Sequence, residues 1–391
     1  MLANKNKSIY FDNASTTPLD NRVWEEMLPY GNMIFGNPSS LHSYGMEAKE
    51  SLEGFRAKLA GFIHAQPEEI IFTSGGTEAN NLALKGIAFA NIHKGKHIIV
   101  SAIEHDSILN TCTWLKEQGF YVSYLTVDEN GFVDLERLEQ LINSQTVLVS
   151  VMHVNNEIGT IEPIEEIGKI CKERNVFFHT DACQSFGKIP IDVSKQNITL
   201  ASLNAHKIHG IKGVGALFVK QGTPVTPLLH GGGQEFGLRS TTENLTGIAG
   251  FAKAAQLCID EMEKESKRLA KLQEKLIREL ENKFPGFYLN GDKEKRLPNN
   301  INFSISGLEG ENIRLLLLLD EKGIAVSAGS ACSNNDSGKS SSHVLEAIGR
   351  DPFQSRGGIR ISFGRFTTEE EVERFLDIFE STVSQLNTIY S

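Results

Sequence analysis

Short apolar runs alternate with stretches of helical spacing through the first half of the chain. The runs Ile70–Phe72, His97–Ser101, Tyr121–Leu125, Thr146–Met152, Val176–Thr180 and Leu200–Leu203 read as strands. Between them, Thr77–Ile92, Ser107–Gln118, Leu135–Ile142 and Pro163–Arg174 carry apolar residues at helical intervals. Apolar strands separated by amphipathic helices predict an α/β fold with a mostly parallel sheet covered on both faces. Gly213–Val219 reads as one more strand, with an antiparallel place at an edge as one reading that the sequence leaves open.

The texture changes after Gly250. A long helical region, Ala252–Lys283, interleaves Glu and Lys in the manner of a solvated face. Smaller units follow at Asn299–Ser306, Gly310–Leu319, Gly323–Val326 and Gly358–Ser362, then a final helix from Thr368. This pattern predicts a large domain over residues 16–262 and a smaller α/β domain from residues 1–15 and 263–391. A loose Ser/Gly/Asn-rich segment, Ser327–Ser342, carries Cys332.

Composition narrows the function classes. With 391 residues and 40% apolar content the chain can bury a substantial core, which excludes a disordered or disulfide-stapled protein. A net charge of −10 disfavours broad nucleic-acid binding. The polar start, Met1–Ser8, has no signal-peptide run, and Leu315–Leu319 is far too short to cross a bilayer. Five cysteines without a CxxC pair suit a reducing compartment and argue against a zinc ribbon. A cytoplasmic protein without a membrane partner is expected.

Three short segments carry candidate chemistry. Phe72-Thr73-Ser74-Gly75-Gly76-Thr77-Glu78 runs from a strand through small residues into a helix, with Thr77 as the expected N-cap. Such a turn presents backbone N–H groups and a positive dipole end to a phosphate, and it also fits an ordinary strand–helix turn. Asp181 in His179-Thr180-Asp181-Ala182-Cys183-Gln184 closes a buried strand, where open α/β sheets bind ligands. Its carboxylate suits a metal or a protonated ring nitrogen, and His105, also after a strand, belongs to the same rim. In Asn204-Ala205-His206-Lys207, a lysine follows an apolar strand, where partial desolvation would fit it to form a Schiff base. No GxxxxGK[ST] occurs, and Gly213-Val214-Gly215 lacks the third glycine of a dinucleotide fingerprint. Lysine, aspartate and phosphate turn together favour pyridoxal 5'-phosphate over a metal or nicotinamide.

At this level of detail the sequence resembles the cysteine desulfurases of the class-V aminotransferase group, in the NifS/IscS-like branch of the fold-type I pyridoxal-phosphate enzymes. The resemblance runs nearly end to end, from Tyr10-Phe11-Asp12-Asn13-Ala14-Ser15-Thr16-Thr17 to the segment from Arg360 to Glu371. Between them stand Phe35-Gly36-Asn37-Pro38-Ser39-Ser40, Thr73–Asn81, Val154-Asn155-Asn156-Glu157-Ile158-Gly159, Asp181–Gln184, Ala205–Lys207, His230–Glu235 and Gly329-Ser330-Ala331-Cys332.

The resemblance implies a division of labour. Lys207 would hold the cofactor and move protons at the substrate's Cα, Asp181 would keep the ring nitrogen protonated, and His105 would stack on the ring as acid or base. Gln184 would reach the phenolic oxygen and Asn156 would lie beside ring and substrate. Gly76, Thr77 and His206 would hold the phosphate, with Asn204 where a serine is usual. Thr242 matches a threonine that, in this family, the neighbouring subunit supplies, so a homodimer is implied. Arg360, with Asn37 nearby, would clamp the carboxylate of L-cysteine. Cys332 would take the sulfur as a persulfide, release L-alanine and deliver the sulfur to an acceptor protein of an iron–sulfur, tRNA or other thiolation pathway.

Some positions depart from that pattern. Thr241 replaces a usual glycine, Cys183 replaces a small non-thiol residue, and the segment after Cys332 is not the usual sequence. The chain reaches Ser391 without the longer tail that some members use to dock a scaffold, which leaves the acceptor open. The alternatives are a selenocysteine lyase or related lyase, which would not need Cys332, and a non-catalytic sulfur-relay platform.

Overall fold

The computed structural model describes residues 8–328 and 341–390. Seven strands form the main sheet, in the spatial order 70–73, 215–219, 200–204, 177–181, 146–150, 97–101 and 121–125. The last five are mutually parallel, and Gly215–Val219 runs antiparallel to both its neighbours. Gly215–Val219 is therefore an interior strand, not an edge one, and Ile70–Thr73 takes the edge. Every residue of Gly215–Val219 is buried, as the strand lies between two hydrogen-bonded neighbours.

The interior parallel strands are buried throughout, apart from Phe177, because helices cover both faces. On one face Phe178, Val149 and Ile99 pack into a core with the helix Ser43–Phe62 and the start of Leu245–Lys283. On the other, Leu148, Leu200 and Ile98 meet the helices Gly76–Ala90 and Asp106–Glu117. Ser43–Phe62 has no counterpart in the sequence reading: its buried face has helical spacing but includes Gly45, Ala48 and Arg56, while Tyr44 and Met46 are exposed, so the apolar stripe is blurred.

A second core forms around an antiparallel three-stranded sheet, Phe287–Asn290, Asn300–Ile305 and Ile359–Ser362. Phe11, Phe303, Phe375 and Phe379 are fully buried there. The short strand Ile9–Tyr10 pairs with Ile324–Ala325 and so brings the start of the chain onto this core. The helix Leu245–Lys283 joins the two: Leu245–Ala255 pack in the first core and Leu272–Leu280 in the second. It begins two turns earlier than its charge pattern suggests, because its first residues are apolar on all sides and are capped by the Asn244 side chain on the Gly247 N–H. Among the described residues, no helix is long and apolar enough to cross a membrane.

Candidate active site

The C-terminal ends of the parallel strands open into a cavity of about 290 Å³. That is where ligands sit in open α/β sheets, since the strand ends and helix starts converge there. Ten sequence-predicted residues line it: Gly76, Thr77, His105, Asn156, Asp181, Gln184, Asn204, His206, Lys207 and Arg360. Asn37 and Thr242 are exposed and lie outside its lining. Cys332 lies outside the described residues.

Asp181 ends its strand with both oxygens held: Oδ2 accepts from Asn80 Nδ2 at 2.7 Å and Oδ1 from the Cys183 N–H at 2.9 Å. Burial pushes this carboxyl up, but the field of His105 when protonated, the Lys207 charge and these two donors outweigh it, so its pKa is lowered. An ionised carboxylate is thus fixed deep in the pocket, ready to face a cation. His105 is the N-cap of Asp106–Glu117, and its Nδ1 accepts the Ser107 N–H at 3.1 Å. That bond assigns the ring proton to Nε2. Burial, and then the Lys207 charge, lower the His105 pKa and favour the neutral ring.

The phosphate turn is built differently from the sequence expectation. Thr77 is not the N-cap: the helix starts at Gly76, with Gly75 as cap, and Glu78 Oε2 accepts the Ser74 N–H at 2.8 Å. The Glu78 bond closes the turn one residue pair earlier, and Thr77 falls in the first helical turn. Gly76 is required by its surroundings, since a Cβ there would stand 2.5 Å from Cys183 Sγ. Across the turn, His206 is pushed down to about 4 by burial and by Lys207, Lys212 and Lys188, so it is neutral. Thr17 pins the backbone before Lys207: its N–H and hydroxyl both donate to the His206 carbonyl, at 2.9 and 2.8 Å.

Arg360 enters from the small sheet. Its Nη1 donates to the Asn156 carbonyl at 3.0 Å and its Nη2 to Asp12 Oδ1 at 2.8 Å and Ser15 Oγ at 2.6 Å. Its Nε is buried without a partner among the described residues. The segment leading to Cys332 departs from this strand, where Arg360 N–H donates to the Ser327 carbonyl at 2.7 Å. Beyond it, Ser342 Oγ donates to Glu157 Oε2 at 2.5 Å, and His343 Nε2 meets the Glu104 carbonyl at 3.0 Å.

Several lining residues escaped the sequence reading: Ser15, Asn80, Ser107, Glu157 and His343. Asn80 had a usable signal, one helical turn beyond Gly76 in the same motif. His343 had none, since it reaches the pocket through the packing of Val344, Leu345 and Ile348 onto Ile103, Met152 and Ile158.

The class-V aminotransferase model matches residues 9–375. The chain belongs to the class-V aminotransferase family. Within it, the chain is 49% identical over 383 residues to a cysteine desulfurase IscS of Dictyoglomus turgidum, covering 98% of this chain and 96% of the relative. Among solved structures, a NifS-like protein superposes with a TM-score of 0.90 at 41% identity, covering 96% of this chain and 99% of that one. The protein SspA, solved in complex with cysteine, superposes with a TM-score of 0.81 at 38% identity, covering 92% and 100%. These likenesses carry the fold-type I class-V architecture across nearly the whole chain.

Proposed function

We propose that this protein is a cysteine desulfurase that uses pyridoxal 5'-phosphate to convert L-cysteine to L-alanine, placing the sulfur on Cys332. The observation that carries this reading is the convergence of an ionised Asp181, a neutral His105, Lys207 and the Gly76–Thr77 helix start on one cavity. The donor set fits the cofactor: a carboxylate for a protonated ring nitrogen, an amine for the aldehyde, and the helix start at Gly76 for the phosphate. Asn204 Oδ1 and Asn80 Oδ1 are buried without partners among the described residues, leaving polar capacity on that wall. Bound there, pyridoxal phosphate supplies an electron sink for bonds breaking at the substrate carbons.

The chain's own residues do the rest. Lys207 holds the cofactor and moves the proton at the substrate's Cα. Gly76, Thr77, Asn204 and His206 cradle the phosphate, Gln184 addresses the ring oxygen, and Asn156 lies beside the substrate. Arg360 binds the α-carboxylate, its guanidinium oriented beforehand by Asn156, Asp12 and Ser15. The Cys332 thiolate takes the substrate sulfur: an S–S bond forms as the Cβ–S bond breaks, the electron pair stays with carbon, and a proton replaces the sulfur. We place the large domain at residues 16–262 and the small one at 1–15 and 263–391, with Arg360 and Cys332 on the latter.

The protein acts as a homodimer in this reading. Met33, Phe35, Leu41 and Met46 are 64–94% exposed on one stretch of chain, an apolar density suited to an interface. Asn37 lies within this stretch and Thr242 is exposed elsewhere on the chain, so both are free to meet a second copy. Sulfur then leaves on Cys332 for an acceptor protein. Mass spectrometry after brief exposure to L-cysteine tests the reading. A thiol-removable 32-Da sulfur on Cys332, with alanine released, is expected. Cys183 is buried and its thiol is pushed well above its usual range by burial, so sulfur on Cys183 alone overturns the mechanism.

A further inference from the structure

Behind the pocket, on the far side of Lys207, lies a second, smaller cavity of about 60 Å³ between the two cores. Lys188 projects into it. Gly187, with φ +74°, makes the left-handed turn that aims this side chain inward, and a Cβ at Gly187 would crowd Cys258 and Ile208. The stem of Lys188 is half-buried, yet its amine is enclosed. No carboxylate lies within ion-pair distance of it among the described residues. Glu265 lines the same cavity but is engaged by Arg268 at 2.8 Å.

What the amine does meet is Gln184, whose Oε1 accepts from Lys188 Nζ at 3.5 Å. The other end of that amide donates from Nε2 to the Ala14 carbonyl at 2.9 Å. Gln184 lines the cofactor pocket and meets Lys188, which lines the smaller cavity; Lys207 lines both. An amide between two such partners has one favourable orientation, since flipping it would set Lys188 against an NH₂ and Ala14 O against a carbonyl. With one Nε2 hydrogen on Ala14, the second remains for the pocket. An enclosed lysine without a counter-charge is costly to keep for packing alone.

We propose that Lys188 is a positioning residue for the cofactor: it holds Gln184 Oε1, so that the amide presents Nε2 to the ring oxygen. This rests on the reading of the larger cavity as a pyridoxal-phosphate site. Burial, and then the charge of Lys207, push the Lys188 amine down to about 7, and amine and ammonium both retain a hydrogen for Gln184. The other groups acting on Lys188 are Arg360, which opposes its charge, and the thiols of Cys183 and Cys258, which favour it. His206 and His209 also feel its charge, both held neutral by burial, and Arg365 faces the same cavity.

The test is a pH titration of the visible absorbance of the holoprotein, together with cofactor affinity measured by reconstitution. Losing the donor to the ring oxygen should raise the apparent pKa of the coloured band by about half a unit or more in Lys188→Met. Cofactor affinity should weaken several-fold, and Lys188→Arg should restore both. Because the effect runs through Gln184, the double variant Lys188→Met/Gln184→Leu should titrate like Gln184→Leu alone. Should Lys188→Met fail to fold, Lys188→Gln, too short to reach Oε1, is expected to show the same shift. A wild-type protein that takes up no pyridoxal phosphate overturns the reading of the site itself. A wild type that binds it, with Lys188→Met titrating as wild type or adding fully to Gln184→Leu, overturns the role of Lys188 alone.

Discussion

The two walls of the pocket are assembled by different means. The large-sheet wall comes from residues that each follow their own strand: His105 after Ser101, Asp181 at the end of 177–181, Asn204 to Lys207 after 200–204. Several of their partners are near in sequence or on the adjoining helix, as with Ser107 on His105 and Asn80 on Asp181, while Thr17 and Ala14 reach His206 and Gln184 from the start of the chain. The small-sheet wall depends on long-range pairing. Arg360 is held by Asp12, Ser15 and the Asn156 carbonyl, more than two hundred residues away in each case. The first wall is set by the parallel sheet. The second exists only once the start of the chain has paired with Ile324–Ala325 and docked on the small core. The cofactor side is thus fixed mainly by the large core, with Gln184 tied to Ala14, and the substrate side joins the two.

The comparison separates mutations by what they lose. Lys207→Ala should show the largest effect, with turnover falling about a thousand-fold or more while the phosphate cradle still takes up cofactor noncovalently. Asp181→Asn should follow, at about a hundred-fold in kcat, because the amide lacks the charge opposite the ring nitrogen and can accept from only one of Asn80 Nδ2 and the Cys183 N–H. Arg360→Lys should instead raise KM for L-cysteine about ten-fold or more and leave the absorbance of the bound cofactor unchanged, since a lysine cannot make the forked contact. A cofactor spectrum altered by Arg360→Lys would break the division between the walls.

How legible each wall was follows from the same contrast. Strand ends such as Ser101 and Leu125, and the lysine and aspartate beyond the strands, show in the alternation of apolar runs because local packing dictates them. The antiparallel direction of Gly215–Val219 agrees with one sequence reading, but its interior place was not legible, since a five-residue apolar strand reads the same at an edge or inside. Nor was the Thr77 cap, because the choice among Gly75, Gly76 and Thr77 is made by Glu78 reaching back to Ser74. Arg360 was reached through family resemblance alone; its neighbours Gly358 and Ile359 say nothing of Asp12 or Asn156.

Smaller effects should appear in stability against pH. Burial pushes Glu104 and Glu162 up to about 8, against the hydrogen bonds each accepts. Both keep a proton in the folded protein where the unfolded chain, near 4.5, has released it. Their contribution is complete below that value and is lost as the pH rises through about 8. Thermal melts of Glu104→Gln should therefore gain on wild type steadily between about pH 5 and about pH 9. A constant difference would mean Glu104 is ionised in the fold. At the bottom of the scale, Lys267→Ala breaks a pair with Glu263 whose side chains are 72% and 85% exposed. It should change stability by less than about 0.5 kcal/mol, measured by urea unfolding.

The claim beneath all of these is that the large-sheet wall presents one particular amine to the cofactor, although a second, Lys188, lies just behind it and a third, Lys212, is five residues further along the chain. Borohydride reduction of the holoprotein, followed by digestion and peptide sequencing by mass spectrometry, decides among them. The account predicts a pyridoxyl label on Lys207 in essentially all labelled peptide. A label found on Lys188 or Lys212 instead would contradict it.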